Sequence, residues 1–490
     1  MFFHETMKCL SILWRHKWEM LCCTLLSVAF VLLFSTGTSP LFAGEWEPRH
    51  IDSSIFQMLG VAILNGKVPY VDIFDHKGCI LFFINALGYL INGKAGLLCL
   101  QMFNLAATLM IWLRTTALFT ASRWRQWLSL LLTLWLLTFT FEDGNLSEEW
   151  SLPWISLPLY YYFRYRYVQH EDIPTSRLFI IGIASGIIAF IRANNAAPVL
   201  GILLWLLFDY ARQQRWRYIV RSIVVVTIGF LLPILASSLW FYAKAGLTGL
   251  DGLWYGTFIF NLEYMKNATP SEGSTELATL LRLASLLLLP CLILWRRHWQ
   301  ILPLLMAFVI TLLATGRVIY YHYLTIYAPL WVIAIAVILR SQWRTYVLSA
   351  VLLFLLPDIG GKVWRTLRHA QEDPAPYLAF KQEFCDIVRS IPESERDSLW
   401  NYNATHVCAD CLNDLHLTQS NLILFRYHLH ISDRMAAHKH ALQQESPRWV
   451  LVADSHFIRP DDQQFLDAHY SRYAATRQGQ VNVTFYHRKD

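Results

Sequence analysis

EWEPRHIDSSIFQMLGVAILNGKVPYVDIFDHKGC, residues 45–79, decides how the rest of the chain is read. It follows an apolar segment, Trp18 to Thr36, and runs into another that begins at Ile80. Between them it gathers Asp52, Asp72, Asp75, His76 and Lys77 around a short amphipathic run. Charges this close to hydrocarbon are costly unless they have partners or a task. The stretch therefore reads as a working loop at a membrane surface, and the remainder as its scaffold.

Composition points the same way. The 490 residues are 55% hydrophobic and 16% charged, whereas a soluble domain is about a quarter charged. Apolar runs recur from Trp18 to Leu356, long enough to cross a bilayer core about 30 Å thick. The net charge of +6 is not a nucleic-acid footprint. The Arg and Lys sit in short clusters between apolar runs, as cytoplasmic loops do. No small-residue cleavage site follows MFFHETMKCLSILWRHK, so Trp18–Thr36 is expected as a retained first span. Cys408 and Cys411 form a C-x-x-C in the polar tail, compatible with a local disulfide or, with further ligands, a metal site.

Charge asymmetry sets the topology. If Ile80–Ile91 is a juxtamembrane helix and Ala95–Leu113 a span, the basic clusters fall on one side. The further spans are Gln126–Phe141, Trp150–Phe163, Leu178–Ile191, Pro198–Tyr210, Tyr218–Tyr242, Leu277–Trp295, Ile301–Thr315, Ile319–Leu339 and Tyr346–Pro357. The expected fold is an all-α polytopic membrane protein of about eleven spans, its N-terminus inside. Residues 1–360 form the membrane unit. Residues 361–490 are polar, with helix-like PYLAFKQEFCDIVRSI and strand-like RWVLVADS and NVTFYHR, and read as a C-terminal soluble α/β domain. An odd number of spans places that domain outside, with the loops at about 38–94 and 142–149.

Those two loops hold most of the candidate chemistry. Asp52 precedes the amphipathic run, where a carboxylate can cap a helix or serve as a base. PYVDIFDHKG contributes Asp75, His76 and Lys77, and the cations suit a phosphate group. FEDGNLSEEW packs Glu142, Asp143, Glu148 and Glu149 with Asn145 and no basic residue. Such carboxylates are solvated loop charge, or they suit sugar hydroxyls or a divalent cation. Arg192 in FIRANNAAP, and Arg317, Tyr320, Tyr321 and His322 in GRVIYYHY, lie at outer span ends. The loop LDGLWYGTFIFNLEYM adds aromatics, Asn261 and Glu263. Singly, such residues are interface anchors; together on one face they suit a sugar joined to a lipid phosphate.

DSSIFQMLGVAILNGKVPYVDIFDHKGCILFFINALG resembles the first-loop signature of bacterial GT-C glycosyltransferases. These are polytopic enzymes related to protein O-mannosyltransferases and the lipid A aminoarabinose transferase. GNLSEEW, IRANN and YYHYL are similar to the same group's later motifs, and the likeness covers Trp18 to Pro357. It implies a polyprenyl-phosphate-linked sugar donor, a lipid, glycan or protein acceptor, and transfer on the outer face of a bacterial inner membrane. By position Asp52 matches the first-loop catalytic carboxylate, Asp143 or Glu142 the second-loop acid, and Lys77 the cation after the first-loop helices. Asp52 is followed by Ser53 rather than a second acid, and Lys77 by Gly78 where related enzymes often have Pro.

The expected reaction is a direct, inverting displacement. Asp52 takes the acceptor proton, while Lys77, His76, Arg192 and Arg317 neutralise the leaving phosphate. A nucleotide-sugar donor is disfavoured, because the sequence has no Rossmann-like or P-loop stretch. The rival class is a lipid or glycan transporter or flippase. Its site would lie mid-span, whereas the polar groups here cluster in outer loops.

Overall fold

The computed structural model describes residues 17–42, 51–142, 144–267, 302–315, 320–340, 360–361, 363–368, 370–371, 373–454 and 458–489. The expected spans Leu277–Trp295 and Tyr346–Pro357, and the site candidates Asp143 and Arg317, lie outside the described residues.

Long apolar runs become helices because a helix satisfies its own backbone in hydrocarbon. The membrane part contains α1 (Lys17–Phe34), α2 (Ile51–Leu64), α3 (Cys79–Phe119), α4 (Arg123–Thr140), α5 (Ser147–Tyr162) and α6 (Thr175–Ile191). It continues with α7 (Ala197–Arg212), α8 (Trp216–Trp254), α9 (Phe260–Asn267), α10 (Leu302–Thr315) and α11 (Ala328–Ile338). Among the described residues, four helical stretches are long and apolar enough to cross a membrane: Lys17–Phe34, Cys79–Phe119, Trp216–Asn267 and Tyr321–Ile338. The run Ile80–Ile91, expected as a juxtamembrane helix, and the run Ala95–Leu113, expected as a span, are two halves of α3. Asn92 and Gly93 leave helical geometry between them, Gly93 at φ +57°. A break that needs a left-handed residue falls naturally on glycine.

One expected loop is helical. LDGLWYGTFIFNLEYM forms the end of α8, a π-helical turn over Tyr255–Ile259, and α9. The chain breaks earlier, at Ala245 and Gly246, with Gly246 at φ +60°. The aromatic stretch then packs as helix against the first loop: Phe260 lies 5.0 Å from Phe74 and Tyr264 stacks on His76 at 5.1 Å.

Basic residues gather at the end of the bundle remote from that loop. Arg114 pairs with Glu19 at 2.9 Å, and Arg166 with Asp172 at 3.2 Å. Arg215 reaches the same Asp172 at 2.5 Å.

The C-terminal segment contains α12 (Ala375–Ser390), α13 (Thr405–Asp414) and α14 (Pro460–His469). Its sheet is formed by β1 (Leu399–Asn401), β2 (Trp449–Ala453), β3 (Tyr470–Gln478) and β4 (Val481–Arg488). The strand order is β1-β2-β4-β3, with β1 and β2 parallel and the other pairs antiparallel. Cys408 and Cys411 are fully buried on α13. One apolar cluster runs from Phe74 and Phe82 in the first loop and α3, through Phe384 on α12, to Leu451 and Phe485 in the sheet. The loop and the C-terminal segment thus share a core.

Candidate active site

Asp52 lies in the first turn of α2, half-buried. A carboxylate there is favoured by the positive end of the helix dipole. Buried polar side chains orient the helix: Gln57 donates to the Gly37 carbonyl at 3.1 Å and accepts from the Tyr89 hydroxyl at 2.9 Å.

The loop after α2 is held by its own side chains. Asp72 accepts from the Val68 N–H at 2.7 Å, and Asp75 from the Lys77 N–H at 2.9 Å. Tyr70 donates to the Lys77 carbonyl at 2.5 Å. Gly78 then donates its N–H to the Ile191 carbonyl at 3.0 Å, while a Cβ at Gly78 would come 2.1 Å from the Phe190 carbonyl oxygen. The departure from Pro at this position therefore has a cause: the chain needs that N–H and has no room for a ring. The contact brings Lys77 beside Arg192, the residue that follows α6.

Asp75 is 4% exposed. Burial pushes its carboxyl above the usual range, opposed by the Lys77 cation and N–H; Asp52 adds to the rise and Arg192 opposes it. Burial also holds the His76 imidazole well below its usual value, and Lys77, His428 and Arg192 add to the fall. Neutral His76 can thus accept at Nε2 from the Lys77 ammonium, 3.0 Å away. Its Nδ1 is buried with no hydrogen-bond partner among the described residues.

The second acidic stretch is not a solvated loop. Glu142, Gly144 and Asn145 adopt positive φ, and a Cβ at Gly144 would sit 2.0 Å from Ser35 Oγ. This tight turn drives Glu148 and Glu149 into the first turn of α5, where each is 2% exposed. Glu149 accepts from the Asn145 N–H at 2.6 Å and from Gln101 Nε2 at 3.0 Å. Asn145 donates from Nδ2 to Asn85 Oδ1 at 2.8 Å and accepts from Trp150 Nε1 at 3.0 Å. These two candidates for acceptor or metal binding are occupied in joining α2, α3 and α5. Glu148, the third, forms an ion pair with Arg192 and accepts from Ser147 Oγ at 2.8 Å. Among the described residues, no group of three or more His, Cys, Asp or Glu is placed to hold a metal ion.

Arg192 lies over the Tyr323 ring, 4.0 Å from its centroid. His322 Nδ1 contacts Glu142 at 2.6 Å, and its ring stacks on Tyr320. Tyr321 is half-buried and lies edge-on to Phe139 at 5.0 Å, packed against the apolar core. Its neighbours Tyr320 and Tyr323 flank the charged groups instead, because a tight helical turn sends successive side chains in different directions.

Sequence reasoning missed the contribution of the C-terminal segment. Tyr427 and His428 lie at the first loop: the His428 ring is 5.6 Å from that of His76, and Tyr427 is in electrostatic reach of Asp75, Tyr264, Asp52 and Tyr320. His428 is fully buried, and neither ring nitrogen has a hydrogen-bond partner among the described residues. Burial, reinforced by Lys77, pushes its pKa down to about 3. RYHLH in a polar tail carries no motif that would have found it.

No family model matches the sequence, and no curated protein does. Solved structures do. The structure of ArnT from Cupriavidus metallidurans bound to undecaprenyl phosphate superposes with a TM-score of 0.56 at 11% identity, covering 96% of this chain and 98% of that one. The apo structure of the same protein gives 0.50 at 11% identity, with the same coverage. At this identity the likeness is one of fold, and it extends over nearly the whole of both chains. The chain shares the fold of that protein: a polytopic helical bundle, with four stretches of membrane-crossing length among the described residues, carrying a C-terminal segment with a small sheet.

Proposed function

We propose that the protein is an integral-membrane glycosyltransferase. It moves a sugar from a polyprenyl-phosphate donor to an acceptor hydroxyl on the non-cytoplasmic face of a bacterial inner membrane. In this reading residues 1–360 are the membrane unit, and residues 361–490 lie on the same outer side as the first loop. One observation carries it: Asp52, Asp75, Lys77 and Arg192 converge at one end of the helical bundle, where the Lys77 ammonium rests on a neutral imidazole. A cation held in that way can meet a phosphate without first breaking an ion pair. The undecaprenyl phosphate held by ArnT supports a donor of that class.

Asp52 removes the proton from the acceptor hydroxyl, and that oxygen attacks the anomeric carbon. The bond from the anomeric carbon to the phosphate oxygen breaks, and the lipid phosphate leaves with the bonding pair. Lys77 meets the charge that develops on the phosphate, where preorganised donors contribute most. Arg192, shared with Glu148, supports it from the side. A single displacement inverts the anomeric centre. Asp52, half-buried at a helix start, can lie within hydrogen-bond reach of an acceptor hydroxyl, as a general base must.

The test uses the purified full chain in nanodiscs with a polyprenyl-phosphate sugar. Acceptor-dependent release of polyprenyl phosphate, with inversion in the product, supports the reading. Lipid movement across a bilayer with no sugar transfer would replace it with a transporter.

A further inference from the structure

A cavity of about 660 Å³ lies beside the candidate active site, within the ~300–1,000 Å³ range of small-molecule sites. Its walls come from the turn after α1 (Thr36–Phe42), from Lys94 and Leu98 beyond the break in α3, from Leu378 and Lys381 on α12, and from Asp410 and Asp414 on α13. The Gly37 carbonyl in this wall accepts from Gln57, and Asn413, next to Asp414, donates to the Ser54 carbonyl at 2.8 Å. Both contacts are to α2, whose first turn carries Asp52. The cavity and Asp52 therefore flank one helix start, just past the end of a membrane-length helix.

Four of the charges in the wall cancel, and a fifth, Arg389, pairs at 3.2 Å with Asp386 outside it. Lys94 pairs with Asp410 and, at 3.3 Å, with Asp414; Lys381 pairs with the same two at 2.8 and 2.5 Å. An ammonium has three N–H donors, so each lysine keeps one after its two carboxylates. Asp414, with its side chain 38% exposed, keeps acceptor capacity. The wall thus offers donors and acceptors together without net charge from these four groups. Hydroxyls, which both donate and accept, match it; a phosphate, which only accepts and would lie against two carboxylates, does not. Phe42, Leu98 and Leu378 supply apolar surface for a ring face or a chain.

We infer that this cavity binds the uncharged, polyhydroxylated head of an amphiphile, separately from the phosphate-bearing donor. That this head belongs to the acceptor rests on the transferase reading above; the binding itself does not.

The probe is an alkyl maltoside with a diazirine on its chain, photolysed with the full chain in phosphatidylcholine nanodiscs and mapped by peptide mass spectrometry. Labels are expected on residues 94–98 and 375–390, displaced by excess dodecyl maltoside and not by dodecyl phosphate. Leu378 is 44% exposed, so Leu378→Trp fills the cavity without strain and should remove the labelling. Lys77→Ala should leave it unchanged. Labels elsewhere, labels that survive Leu378→Trp, or stronger displacement by dodecyl phosphate would overturn the inference. Specific labelling in a protein that transfers no sugar would uphold the cavity and remove the transferase reading.

Discussion

The backbone N–H of Phe74 donates to the carbonyl of Leu422, 2.8 Å away. The first loop is thereby tied to the C-terminal segment at its centre, one residue before Asp75. Nearby, Lys67 Nζ donates to the Gln419 carbonyl at 2.5 Å and Asn65 to the His416 carbonyl at 2.9 Å. The loop's geometry is thus set partly by residues more than three hundred positions away, and that coupling shapes what mutations here should do.

Asp52→Asn separates the structural role of the side chain from its base chemistry. An amide keeps the size of the side chain and an acceptor oxygen at the helix start, but it cannot take a proton. The variant should fold and bind the lipid donor, and turn over about a hundredfold or more slowly. Single-turnover sugar transfer checks this; near-normal rates would move the role to Asp143 or Glu142.

Lys77→Ala and Arg192→Ala should fail in different ways. Loss of Lys77 should weaken donor binding by about 1.5–3 kcal/mol, the worth of a charge-assisted hydrogen bond, with little change in melting temperature. Loss of Arg192 strands the buried Glu148 carboxylate, which typically costs about 3–5 kcal/mol of stability. Adding Glu148→Gln to Arg192→Ala should recover much of that loss. Thermal unfolding and lipid-binding titrations of the three variants separate the two roles.

Asn145→Ala should destabilise the protein rather than slow its chemistry selectively. It leaves Trp150 Nε1 and Asn85 Oδ1 buried without this partner, at about 1–3 kcal/mol for each group. It also puts a Cβ residue without a local hydrogen bond at φ +57°. A large fall in melting temperature is expected, with residual activity proportional to folded protein.

Gly78→Pro, which restores the residue often found in related enzymes, should damage this protein. The ring removes the N–H given to Ile191 and meets the Phe190 carbonyl. The expected result is lower stability together with weakened donor binding, because Lys77 would be carried away from Arg192. Unchanged donor titrations would refute it.

His428 predicts a pH dependence with a definite sign. Its folded pKa, about 3, lies below the usual histidine value near 6.5. Between these values the unfolded chain binds a proton that the folded chain does not, so stability falls as pH drops through that window. Above it the contribution is fully present. His428→Phe, in a cage that includes Phe74, Phe260 and Phe425, should flatten the dependence of melting temperature on pH between about 6.5 and 5.

By itself the sequence determined where the chain meets hydrocarbon. Uninterrupted apolar runs place α1, α4, α6, α7 and α10 within a few residues of where they lie, because backbone groups in oil have few alternatives to a helix. Asparagine and glycine at positions 92–93 already divided α3 into its two halves, and the charges between Asp52 and Lys77 already singled out the loop proposed here as the site. Only the tertiary structure decided which polar residue meets which. Glu142, Glu148 and Glu149 look alike in FEDGNLSEEW, yet one contacts His322, one pairs with Arg192 and one is locked to Asn145 and Gln101. Tyr321 packs against the core while Tyr320 and Tyr323 flank the site, and His428 reaches His76 from the far end of the chain. Hydrophobic pattern reports the solvent a residue prefers; the partner that compensates a buried charge is fixed by contacts between distant segments.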